Sequence, residues 1–195
     1  MAIPQKIHDA LLKELVKKDD EGKYPNLMEL VRRGGFTVKC SVDLTSEKGC
    51  VDVFLTYTSV PSVPPTLSVS ETKNGKGLVV GFDWGDSGPH PVAFELITDV
   101  DFDVGKKLEQ VNRYKKEFAD VRVIIPEEYE EEYAQLFTMN DVRVHTWKGI
   151  RRWKCKKCEK IREVEHSSMQ PYQCGIDSCS FKELNFVGLK NVSFK

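Results

Sequence analysis

The sequence predicts an α/β protein in which a mixed sheet is covered by helices, followed by a small metal-binding module. Over residues 1–148, segments with the two-residue period of strands alternate with segments that have the spacing of amphipathic helices. Over residues 149–195, two pairs of closely spaced cysteines stand in a short basic segment. We therefore expect two domains, with their boundary between residues 148 and 149.

The predicted elements begin with a helix at residues 4–18, where Ile7, Leu11 and Leu15 fall on one apolar stripe. The elements that follow are a short helix (27–33), strands 36–44 and 50–57, strands 67–72 and 77–84, a strand (92–98), a helix (104–118), a strand (121–125), an acidic helix (127–138) and a strand (142–147). The strand–helix–strand units in the second half predict right-handed parallel crossovers.

Local signals support these boundaries. The proline-rich connector at residues 59–65 cannot lie in the middle of a sheet, so it ends the second strand. The pair Asn74-Gly75 is a strong turn signal, which predicts that the strands on either side of it form a hairpin. Val104, Leu108 and Val111 have helical spacing, and Pro126 ends the strand before the acidic helix.

Charge is distributed unevenly along the chain. Residues 1–150 carry 19 Lys/Arg and 25 Asp/Glu, a net charge of −6, whereas residues 151–195 carry 10 and 5, a net charge of +5. No apolar run approaches the ~20 residues that cross a bilayer, and the N-terminus lacks an apolar signal core. We expect an intracellular, cytoplasmic protein without a membrane partner, in which clustered cysteines bind metal rather than form disulfides.

The cysteines follow the pattern C-x2-C-x15-C-x4-C, formed by Cys155, Cys158, Cys174 and Cys179. Zinc takes four tetrahedral ligands, and each pair can bind one ion from a tight turn. The spacing resembles a zinc ribbon, and His166 is a possible substitute ligand. Because four thiolates leave no open coordination position, we expect a structural zinc ion that supplies much of the folding free energy of the module.

Basic residues surround the first cysteine pair, with an aromatic residue among them. The predicted nucleic-acid contacts are Arg151, Arg152, Trp153, Lys154, Lys156 and Lys157. Cations that meet phosphates and aromatic rings that meet bases are typical of nucleic-acid binding, and we expect DNA as the partner. The alternative is a charged shell that keeps a tiny domain soluble.

Two predicted strands each carry one carboxylate between apolar residues, at Asp52 and Glu95. A buried carboxylate is costly unless it is paired, hydrogen-bonded or bound to metal. Two of them on neighbouring strands could bind Mg²⁺ or Mn²⁺, which can activate a water for phosphodiester hydrolysis. The alternative is that each carboxylate merely pairs with a lysine.

These residues stand in an order that resembles the PD-(D/E)XK nuclease superfamily. The matching segments are Gly34-Gly35-Phe36-Thr37-Val38, Val51-Asp52-Val53, Val92 to Thr98, Gln110-x3-Tyr114 and Val121 to Pro126. The resemblance implies a restriction-endonuclease-like mixed sheet with an αβββαβ core and an inserted hairpin. It further implies that Asp52, Glu95 and the carbonyl of Leu96 bind the catalytic metal, that Gln110 and Tyr114 line the site, and that a homodimer is possible.

The chain departs from the family pattern at Ile97, where the motif lysine should stand. Lys39 is the predicted catalytic lysine, with Lys106 and Lys107 as alternatives. Asp83 and Asp86 are closer in sequence to Glu95 than Asp52 is, and Glu14 or Glu29 could add a helix glutamate. We expect a DNA-binding, metal-dependent endonuclease; the alternative is a degenerate nuclease fold that binds nucleic acid or protein without cleaving.

Overall fold

A computed structural model describes residues 3–32, 36–43, 51–61, 67–71, 78–82, 89–98, 103–165, 171 and 173–195. The protein is mixed α/β, and its helices are α1 (Ile3–Leu15), α2 (Pro25–Val31), α3 (Val104–Tyr114) and α4 (Glu130–Met139). The strands are β1 (Phe36–Asp43), β2 (Val53–Pro61), β3 (Leu67–Glu71), β4 (Leu78–Phe82), β5 (Pro89–Leu96), β6 (Val121–Pro126), β7 (Arg143–Cys155), β8 (Ile161–Glu165) and β9 (Leu184–Phe194). Within the described residues, no helix combines the length and apolar character needed to cross a bilayer.

The main sheet is mixed, as the sequence predicted, and it is curled. Its order is β1-β2-β5-β6-β7-β8, and β9 pairs with β7 outside this path. β1, β2 and β5 are antiparallel, whereas β5, β6 and β7 are parallel, with α3 and α4 as the connections between them. β3 and β4 form the predicted antiparallel hairpin as a separate two-stranded sheet, and the turn that contains Asn74-Gly75 lies outside the described residues.

Apolar side chains cover both faces of this sheet. α1 and α2 bury Leu11, Leu15 and Leu27 against one face, and α3 and α4 bury Val111 and Phe137 against the other. All six residues of β6 are buried, as expected for a central parallel strand that is covered on both sides. The side chains of α1 and α3 therefore approach the sheet from opposite faces.

β7 joins the cysteine module to the main sheet. It is 13 residues long and continues through the predicted boundary between residues 148 and 149. β9 runs antiparallel to it from the pair Cys155–Leu184 to the pair Trp147–Phe194, and α1 packs against β9. The strand pairing is thus continuous across the boundary, and the division into two domains stays a prediction.

Candidate functional sites

The pairing of β2 with β5 brings Asp52 close to Glu95. β2 and β5 are paired antiparallel with Val53 opposite Phe94, and the backbone N–H of Asp52 donates to the carbonyl of Phe94 at 3.1 Å. Asp52 is the residue directly before β2, and its side chain contacts the N–H of Leu96, the residue that follows Glu95. Two carboxylates that lie far apart in the sequence are thus held near each other at this end of the strand pair.

Glu95 is buried and bound by side chains of α3. Its side chain is 5% exposed, and Oε1 accepts hydrogen bonds from Nζ of Lys107 at 2.8 Å and Nε2 of Gln110 at 2.9 Å. Gln110 also contacts the hydroxyl of Tyr114. Lys107, Gln110 and Tyr114 lie on one face of α3 because they are three, four and seven positions apart.

Asp52 is held by a backbone N–H and by a histidine of α1. Oδ2 accepts a hydrogen bond from the N–H of Leu96 at 2.7 Å, and Oδ1 lies 3.0 Å from Nε2 of His8. The sequence pattern did not identify His8 as part of the site. The signal for it was weak: His8 follows the buried Ile7, so it falls at the border of the apolar stripe of α1.

We define the carboxylate cluster as His8, Asp52, Glu95, Lys107 and Gln110, and burial and neighbouring charges shift the pKa values of two of its members, His8 and Glu95. Burial and the charge of Asp52 raise the pKa of Glu95 to about 7, although Lys107 acts in the opposite direction. The hydrogen bond to Asp52 raises the pKa of His8. The two carboxylates therefore repel each other, and His8 and Lys107 supply the compensating cations.

The structure separates the candidate lysines. Lys107 reaches Glu95, whereas Lys106 faces solvent, where it pairs with Asp103 at 3.2 Å. Lys39 belongs to β1, and its side chain lies outside the described residues. Ile97, at the position of the motif lysine, is fully buried in the core beneath α3 and cannot act in the site.

The remaining candidates do not add to the cluster. Glu14 and Glu29 pair with cations just past the ends of their own helices, with Lys17 at 4.0 Å and with Arg32 at 3.3 Å. Leu96 approaches Asp52 through its N–H, and the role of its carbonyl as a metal ligand stays a prediction. The residues Gly34, Gly35, Asp83, Asp86 and His166 lie outside the described residues.

The four predicted cysteines meet at one point. Cys155 ends β7, Cys158 follows in the next turn, and Cys174 and Cys179 lie on either side of the 3₁₀ turn Ile176–Ser178. All four Sγ atoms lie within 4.8 Å of one another, with 3.9 Å between Cys155 and Cys179 and 3.6 Å between Cys158 and Cys174. Tetrahedral zinc with Zn–S bonds of about 2.3 Å separates its sulfurs by roughly 3.8 Å. Among the described residues this is the one such group of ligands, and it is compatible with a zinc ion.

Backbone geometry forms the two cysteine turns. The N–H of Lys157 points at Sγ of Cys155 at 3.4 Å, and the N–H of Gly175 donates to the carbonyl of Cys179 at 2.8 Å. Gly175 has a φ of +69°, which glycine adopts without strain. Arg162 donates to the carbonyls of Gln173 at 2.6 Å and Cys174 at 3.2 Å, which ties the second turn to β8.

The pKa values of two of the cysteine thiols are shifted in opposite directions. Hydrogen bonds from the N–H groups of Cys158 and Lys157 lower the pKa of Cys155 to about 7, against the effect of burial. The N–H of Ile176 lowers the pKa of Cys174, but burial and contacts with the other thiols outweigh it and raise this pKa to about 11. Because metal binding requires thiolates, binding of zinc here would release protons.

Two of the predicted nucleic-acid contacts are buried, and those predictions are wrong. Trp153 is fully buried and packs edge-on against Phe186 at a centroid distance of 5.6 Å, so its ring cannot stack on a base. Arg151 is 4% exposed, and its guanidinium donates to the carbonyl of Thr98 at 3.4 Å. Both side chains stabilise the interior where β7 crosses from the body to the module.

The other predicted contacts are exposed or half-buried, and most are already paired with carboxylates. Arg152 lies 3.6 Å from Glu163, Lys154 lies 3.8 Å from Glu159, and Lys156 lies 2.7 Å from Glu183. Lys157 is exposed, and it has no carboxylate partner within the described part of the chain. Three of these four cations therefore already have a carboxylate within 4 Å, although residues 151–195 as a whole keep a net charge of +5.

Comparisons with family models, with curated proteins and with solved structures find no match to this chain. The resemblance to the nuclease superfamily therefore stays a prediction, and a function for the chain can be proposed only from the two clusters themselves.

Proposed function

We propose that the protein is a DNA-binding, metal-dependent endonuclease that hydrolyses phosphodiester bonds at the carboxylate cluster. One observation carries the proposal: the side chain of Asp52 contacts the N–H of Leu96, next to Glu95, at 2.7 Å, and Glu95 is held by Lys107 at 2.8 Å and Gln110 at 2.9 Å. Two carboxylates, a lysine and an amide at one point are the groups that metal-assisted phosphodiester hydrolysis needs.

Each residue of the cluster has a distinct role in this proposal. Asp52 and Glu95 would hold the Mg²⁺ or Mn²⁺, which stabilises charge on the phosphate and lowers the pKa of a bound water. Lys107 would take the part of the motif lysine that Ile97 cannot play: it orients the attacking water and supports negative charge in the transition state. Gln110 would fix the carboxylate of Glu95, because its amide donates to the same oxygen.

The cysteine cluster would be a zinc ribbon with a structural role. Its four thiolates leave no open coordination position for a substrate. Since β7 continues from the cluster into the main sheet, the ribbon would hold that end of the sheet.

Cleavage assays with Glu95→Gln test the proposal. With Mg²⁺ or Mn²⁺ and linear, supercoiled, single-stranded and branched DNA, we expect this variant to lose about 10²-fold or more of the activity, because it removes a metal-binding charge. Lys107→Met should lose activity to a similar extent, whereas Lys13→Met, which changes an exposed lysine of α1, should cleave like the parent. Undiminished metal-dependent cleavage by Glu95→Gln would refute the assignment.

The second candidate is a protein of the same fold that binds nucleic acid without cleaving it. It is favoured by the charge balance of the cluster, in which Lys107 and His8 already neutralise Glu95 and Asp52. Salt-sensitive DNA binding together with no cleavage in either metal would support this candidate over the first.

A further inference from the structure

α3 and the turn after it form a basic segment in an acidic body. Residues 104–118 carry five Lys/Arg and two Asp/Glu, a net charge of +3, whereas residues 1–150 as a whole carry −6. The same segment supplies Lys107 and Gln110 to the carboxylate cluster. Positive charge is therefore concentrated beside the one place where the proposed chemistry needs an anionic substrate.

The basic side chains of α3 point in two directions. Lys107 and Gln110 face Glu95, and Lys106 and Arg113 lie about 40° and 60° around the helix from Gln110, on the side away from Lys107. Lys106 has 82% of its side chain exposed, and Arg113 is also exposed. These two cations therefore lie along the solvent side of the stripe that faces the cluster.

Their spacing suits a nucleic-acid strand. Lys106 and Arg113 are seven positions apart, which corresponds to about 10.5 Å along a helix axis. Since the phosphates of one strand of DNA are separated by about 3.4 Å along the duplex axis, this distance covers about three phosphates. A strand that places one phosphate at the cluster could place its neighbours near these two side chains.

One cation of α3, Arg113, is less compensated than most exposed cations of the cysteine module. Arg113 has no carboxylate partner within the described residues, whereas Lys106 pairs with the exposed Asp103 at 3.2 Å. In the module, by contrast, Arg152, Lys154 and Lys156 each lie next to a glutamate. A cation that already has a carboxylate partner gains less from a phosphate than a free one does.

We infer that Lys106 and Arg113 contact the phosphates on either side of the cleaved bond, and that α3 rather than the cysteine module is the main nucleic-acid-binding surface. The inference rests on the proposed function, because it takes the carboxylate cluster as the place of cleavage. It assigns the substrate backbone a path along the solvent side of α3.

The test is the salt dependence of binding, measured with the full chain carrying Glu95→Gln so that no DNA is cut. Affinities for fluorescent single-stranded and duplex oligonucleotides are measured over a series of salt concentrations. Each phosphate contact contributes about 0.9 to the slope of log affinity against log salt for duplex DNA and about 0.7 for single strands. In the double variant Lys106→Gln/Arg113→Gln we expect the slope to fall by about 1.8 for duplex DNA and by about 1.4 for single-stranded DNA.

Control variants separate this effect from net charge. Lys13→Gln removes an exposed charge from α1 and should leave the slope unchanged, and Arg113→Lys should retain it. Glu109→Gln, which removes an exposed anion from α3, should strengthen binding.

Two outcomes would overturn the inference, and they differ in what else they refute. An unchanged slope in the double variant, with a reduced slope in Lys157→Gln, would place the interface on the cysteine module and leave the proposed cleavage site intact. Salt-independent or undetectable binding by the parent would refute both this inference and the proposed function.

Discussion

The cysteine cluster and the carboxylate cluster differ in whether the protein supplies cationic partners for their acidic side chains. In the cysteine cluster, Cys155 and Cys174 are fully buried, and the contacts of the sulfurs are with one another and with backbone N–H groups. In the carboxylate cluster, Glu95 and Asp52 already have Lys107 and His8 as cationic partners. From this difference we expect the cysteine cluster, but not the carboxylate cluster, to need a metal ion for folding.

Removing zinc should have the largest effect. The small core of the module consists of Trp153, Leu184 and the cysteines themselves, so little apolar burial replaces the metal. For the zinc-loaded protein, we expect a zinc-selective chelator or Cys158→Ser to lower stability by roughly 5 kcal/mol or more, or about 10–20 °C in Tm. Calorimetry with parallel metal analysis measures this.

Withdrawal of Mg²⁺ from the zinc-loaded protein is the matched control. Because His8 and Lys107 balance the carboxylates, Tm should change by no more than about 2 °C. An unchanged Tm after complete zinc removal, or a large decrease in Tm without Mg²⁺, would contradict the expected difference between the two clusters.

The pH dependence of stability should show a smaller effect at Glu95. Its pKa is about 7 in the folded protein and 4.5 as the ordinary value, so the folded state binds more protons between these limits. The contribution of Glu95 is therefore fully present below pH 4.5 and is lost as pH rises through 7. The shift corresponds to roughly 3 kcal/mol.

Urea denaturation at pH 4.5 and pH 8 should show this loss in the parent but not in Glu95→Gln. Glu109→Gln, an exposed change on the neighbouring helix, should follow the parent. A parallel decline of the parent and Glu95→Gln with pH would show that Glu95 is not the group responsible.

The cysteine cluster was predictable because it depends on local spacing. The turns that close on Cys155 and Cys174 involve residues only a few positions away. The carboxylate cluster combines α1, β2, β5 and α3, so its membership depends on strand register and helix packing. The two carboxylates could be identified as polar residues inside apolar strands, but nothing local links His8 to Asp52 or chooses Lys107 over Lys106.

The error at β7 has a physical reason. Buried and less buried positions alternate along the strand, and Trp147, Arg151, Trp153 and Cys155 all fall on the buried side. Because Arg151 occupies one of these buried positions, the start of the run from residue 151 to residue 157 was interpreted as part of an exposed basic surface. Attention to the two-residue period would have placed both Arg151 and Trp153 inward.

The smallest expected effect is the coupling between His8 and Asp52. Nε2 of His8 lies 3.0 Å from Oδ1 of Asp52, and the raised pKa of His8 means that this stabilisation is fully present below pH 6.5 and lost as pH rises through the folded-state value.

A double-mutant cycle of His8→Gln and Asp52→Asn should give about 1 kcal/mol of coupling at pH 6 and clearly less at pH 9. Asp9, 3.8 Å from Nδ1 of the same histidine and 46% exposed, is the matched control, and its coupling should be close to zero. Equal coupling at both pH values would mean that the proton on His8 does not hold this carboxylate, and the cluster would then lack one of the two cations that make it independent of metal.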